Sequence, residues 1–69
     1  MISFEDLKSQ LKRVFFLTKE ETYQLYDDFV SFKGTPEQHY WLAHCGYCEG
    51  LHMRYTAFKG IEERENKGN

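Results

Sequence analysis

Four side chains able to bind a metal or exchange electrons crowd into one short stretch: His44, Cys45, Cys48 and His52. Thiolate sulfur and imidazole nitrogen are the ligands of tetrahedral zinc, and Cys45-Gly46-Tyr47-Cys48 with a histidine on either side offers both. His39 is an alternative fourth ligand. Ordinary zinc modules place their second ligand pair a dozen or more residues away, where it closes a loop. Here every candidate falls within 14 residues, from His39 to His52. On one continuous helix His44, Cys48 and His52 stand at i, i+4 and i+8, with Cys45 alongside. Two or three of them can share a metal there, but closing a tetrahedron needs a broken helix or a second subunit. The competing reading makes His44 and Cys48 core residues, since a free cysteine behaves as a small hydrophobe. The leading expectation is therefore no cofactor, with zinc on His44, Cys45, Cys48 and His52 as the alternative.

Cys45-Gly46-Tyr47-Cys48 also resembles the C-x-x-C active sites of the thioredoxin superfamily. That resemblance implies a first thiolate that attacks and a second that resolves. It covers these four residues alone, and the chain offers no βαβ unit around them, so no catalytic role is carried over. Glu20, Glu21, Asp27 and Asp28 form an acidic region that reads as a solvated face. Lys8, Lys12 and Arg13 make a small basic strip suited to charge pairing. Tyr40, Trp41 and Tyr47 cluster as core-filling aromatics. No Ser/His/Asp context, phosphate loop or H-E-x-x-H motif is present. The expectation is a protein that is not an enzyme.

The elements that position these residues announce themselves by their caps. Ser3 precedes Phe4-Glu5-Asp6, a hydroxyl cap with acids at the positive helix end. Phe4, Leu7, Leu11, Val14 and Phe15 then form one stripe, predicting a helix over about 4–17. Phe16 and Leu17 point off that stripe, towards either a broad core or an exposed patch. Thr18-Lys19-Glu20-Glu21 is a capping box that opens a second helix over about 19–33. Its apolar face carries Tyr23, Leu25, Tyr26, Phe29, Val30 and Phe32. Gly34 is the expected stop, in the left-handed conformation of a C-cap. Thr35-Pro36-Glu37-Gln38 combines a capping Thr, Pro at the first helical position and Gln three residues after the cap. No strand alternation appears, which predicts an all-α fold with the first two helices as an antiparallel hairpin.

The third segment, about 36–64, carries two rows. Trp41, His44, Cys48, Leu51, Tyr55 and Phe58 repeat at 3-4-3-4-3, the seam of an uninterrupted helix. Ala43, Gly46, Gly50, Met53, Ala57 and Gly60 repeat in the same way about half a turn away. Small residues so aligned admit another helix at close range. Glycines at 46, 50 and 60 each cost ~1 kcal/mol inside a helix, so a kink or break near Gly46–Gly50 competes with the continuous reading. A continuous rod of that length is roughly 43 Å long, more than two short helices can cover.

Composition bounds the rest. The chain has 69 residues, and 17% of them are aromatic, which excludes a disordered polyelectrolyte. A core this small calls for help from a partner chain or metal. The net charge of -2 argues against duplex nucleic acid. The first residues show no leader and the two cysteines are too few for a disulfide scaffold, so a cytoplasmic protein is expected. One domain is expected over 1–61, with 62–69 as a frayed helix end and disordered tail. The functional expectation is a small regulatory or protein-interaction chain of the phage or operon accessory class, a homodimer through its third helix. Its partner face would be Ala43, Gly46, Gly50, Met53 and Ala57. A zinc-stabilised regulatory module and a weak nucleic-acid-binding regulator are the alternatives, and no membrane association is expected.

Overall fold

The computed structural model describes residues 2–67. They form four α-helices and one 3₁₀ turn, with no strand among the described residues. α1 spans Phe4–Lys12, the 3₁₀ turn Val14–Phe16, α2 Lys19–Ser31, α3 Pro36–His44 and α4 Tyr47–Lys67.

Each expected cap is in place. The Ser3 hydroxyl accepts from the Asp6 amide at 3.1 Å. Thr18 and Glu21 exchange a reciprocal pair of bonds, as do Thr35 and Gln38. These bonds satisfy amides that the helix itself leaves orphaned, which is why each helix begins where its hydroxyl stands.

The helix ends differ from the sequence reading. α1 stops at Lys12 rather than near residue 17, because the backbone tightens into the 3₁₀ turn. That tightening keeps Val14 and Leu17 buried and turns Phe15 and Phe16 outward, with Phe16 84% exposed. α2 stops at Ser31, and Phe32 already has extended backbone. Gly34 does not take the left-handed conformation expected of it; the one positive φ among the described residues is +82° at Gly46. What Gly34 provides is clearance, since a Cβ there would collide with the Gln38 side chain and the Phe32 ring.

The 36–64 segment is two helices, not one. They meet at Cys45 and Gly46, where the left-handed backbone of the glycine redirects the chain. Each half adds a leucine to one core, Leu42 from α3 and Leu51 from α4, while their other neighbours differ. Trp41 on α3 packs edge-on to Phe4, with ring centroids 5.7 Å apart. α4 lies against α2, α1 and the 3₁₀ turn. α4 runs to Lys67; of the tail expected over 62–69, Gly68 and Asn69 lie outside the described residues.

Leu7, Leu11, Val14, Leu17, Leu25, Phe32, Leu42 and Leu51 form the core. Thr22 is the buried polar member, and its hydroxyl donates to the Thr18 carbonyl at 2.8 Å. The molecule is elongated, 45 × 22 × 19 Å. At 1.5 Å per residue α4 alone accounts for about 31 Å of that length.

Candidate functional site

The α3–α4 break holds the cysteines. Cys45 caps the end of α3 and points its sulfur at the Leu42 carbonyl, 3.6 Å away. Cys48 sits in the first turn of α4, half-buried and beside Cys45. Burial pushes the Cys48 thiol up from its ordinary value, and the adjacent Cys45 adds to the rise. A thiol shifted that way stays protonated near neutral pH, which weakens it as a nucleophile.

Each histidine is engaged elsewhere, although His52 shares a groove with Cys48. His44 Nδ1 lies 2.9 Å from the Tyr40 carbonyl, and its ring stacks on Tyr40 at 4.2 Å. His52 stacks on Tyr26 across the α2–α4 contact, centroids 5.7 Å apart. His39 Nε2 accepts from the Gly34 amide at 3.3 Å. Among the described residues no three His, Cys, Asp or Glu side chains converge so as to hold a metal ion. The zinc set His44, Cys45, Cys48 and His52 is thus not assembled: the break puts His44 on α3, apart from Cys48 and His52, which stand one turn apart on α4.

The expected partner row is likewise divided. Ala43 lies on α3 and Gly46 in the turn. Gly50 is buried: a Cβ there would stand 2.8 Å from Phe15 Cζ and 3.3 Å from Val14 Cγ1. The close approach that Gly50 permits is therefore filled by this chain's own Phe15. Met53 and Ala57 remain exposed on the outer side of α4, Met53 at 67%.

Two shallow grooves open beside these residues, the first where α4 meets α2. One, of about 430 Å³, is lined by Phe29, Cys48, Glu49, His52 and Met53. The second, of about 450 Å³, continues from it along His52, Met53, Thr56 and Ala57. Their walls are mainly apolar, suited to receiving a side chain or a helix flank.

The opposite side of α4 is held by an aromatic strip that sequence spacing did not reveal as paired. Tyr55 stacks on Tyr26 at 3.8 Å and 10°. Tyr23 meets Tyr55 and Phe58 edge-on. The Lys59 ammonium lies 4.8 Å from the Tyr23 ring centre. Arg54 lies over Phe58 and donates to the Leu17 carbonyl at 3.0 Å, closing the end of the 3₁₀ turn. The Tyr23 hydroxyl is shut off from water without a hydrogen bond of good geometry, although Glu62 is near enough to act on it. Burial first, then the Glu62 carboxylate, push Tyr23 up to about 12. Glu62 is in turn held below its usual range, by the Tyr23 hydroxyl first and then by Lys19 and Lys59.

The chain matches no known family model, curated protein or solved structure. No helix among the described residues is long and apolar enough to cross a membrane.

Proposed function

We propose that this chain is a non-enzymatic protein-interaction protein of the regulatory kind, and that it works as a homodimer through α4. One observation carries the reading. The outer side of α4 keeps an exposed methionine beside two joined apolar grooves, while on the inner side Leu51 is buried and Tyr55 and Phe58 pack on α2. Exposed apolar surface of this continuity is what a helix flank from another chain buries.

Native mass spectrometry together with sedimentation tests the proposal. The expected result is twice the chain mass at micromolar concentration, without a metal increment. A strict monomer overturns the homodimer. A stoichiometric zinc increment favours the metal-stabilised module instead, and a salt-sensitive gel shift favours the nucleic-acid regulator.

A further inference from the structure

Gly60 lies inside α4, and a Cβ built on it would meet nothing within 4 Å. Unlike Gly50, it is not required by any neighbour in its own chain. A glycine in a helix interior lowers stability by ~1 kcal/mol against Ala, so the fold alone gives no reason for it. Its surroundings on the helix do. At 100° per residue, Glu49, Met53, Thr56, Ala57, Gly60 and Arg64 fall within an arc of about 100°. That arc faces away from the core residue Leu51 and from the Tyr55 and Phe58 rings packed on α2. Both of its terminal charges are exposed, and among the described residues neither Glu49 nor Arg64 is ion-paired.

We infer that this arc is a self-complementary face that pairs α4 with α4 of a second copy in antiparallel register. This rests on the reading of the chain as an α4 homodimer and adds its geometry. A two-fold axis between Thr56 and Ala57 sets Met53 against the partner's Gly60 and Glu49 against the partner's Arg64, each pair occurring twice. The flexible thioether fills the space above the glycine, and the small residues at the centre let the helices approach closely. The charge order selects the direction: a parallel pair would set Glu49 against Glu49 and Arg64 against Arg64.

Sedimentation equilibrium of charge-reversal variants tests the register. At low salt, Glu49→Arg and Arg64→Glu should each weaken the dimer by about tenfold, and the double reversal should return it to within about twofold of wild type. Gly60→Leu should abolish the dimer while the circular-dichroism melt of the monomer is retained. If wild type is a monomer, the homodimer itself fails and the register with it. If the dimer forms but ignores these substitutions, or if the double reversal does not restore it, the antiparallel register is overturned and the homodimer stands.

Discussion

The inner and outer faces of α4 use the same residue type for opposite ends. On the face next to the 3₁₀ turn, Gly50 is enclosed by Phe15 and Val14. On the outer face, Gly60 stands in open space. Side by side on the inner surface, Leu51 is 1% exposed and Tyr55 stacks on Tyr26; on the outer surface Met53 is 67% exposed. A glycine by itself does not show whether close approach comes from within the chain or outside it. Only the neighbouring atoms decide, and here they decide differently ten residues apart.

The contrast can be broken most forcefully at Leu51. Leu51→Ala should lower unfolding free energy by about 2–5 kcal/mol in urea denaturation, through lost burial and the cavity left behind. A wild-type midpoint would mean that this face is not the core side. Arg54→Ala comes next. Losing the bond to the Leu17 carbonyl should cost about 1–3 kcal/mol, with Arg54→Lys recovering only part of it.

The two glycines give the sharpest test of the comparison. At concentrations where the chain is monomeric, Gly60→Ala should raise stability by about 1 kcal/mol. Gly50→Ala should gain less or lose, because the Phe15 ring must move. Equal gains would erase the distinction between the faces. Met53→Ala should shift the unfolding free energy by no more than about 0.5 kcal/mol. The same change should weaken association at least about fivefold.

The smallest effect concerns pH. Tyr23 is raised from 10.0 to about 12, so the folded chain favours the neutral phenol more than the unfolded chain does. Its contribution is complete below pH 10 and is lost as pH rises from 10 towards 12. Thermal melts across that window should fall less steeply for Tyr23→Phe than for wild type.

The caps were the most legible part of the sequence. Ser3, Thr18 and Thr35 bond to their own backbone three residues on, so residue type and spacing carry the whole signal. The all-α class followed from them and from the apolar periodicity. The division at Cys45–Gly46 was harder to read, because Trp41, Cys48 and Leu51 keep a helical phase across it while packing on different elements. Gly34 and Gly46 exchanged roles for a related reason: whether a glycine supplies left-handed backbone or clearance depends on what lies beside it. The aromatic strip was invisible as a strip, since Tyr26 and Tyr55 meet across two helices and no spacing records the encounter. Thr22 was missed because its hydroxyl is satisfied by a carbonyl one turn back, which lets a polar residue occupy a core position.

The bond from Arg54 to the Leu17 carbonyl has a kinetic consequence. It joins residues 37 apart, whereas the cap hydrogen bonds of Ser3, Thr18 and Thr35 join positions three apart. The short-range bonds can form while each helix is still a separate fluctuating turn. The Arg54 link must wait until α4 has docked beside the 3₁₀ turn, so it is expected to tighten late in folding. In a stopped-flow chevron, Arg54→Ala should steepen the escape from the native state and leave the refolding limb nearly where it was. The guanidinium thus acts as a latch on residence time, holding a small domain closed longer than its rate of assembly would suggest.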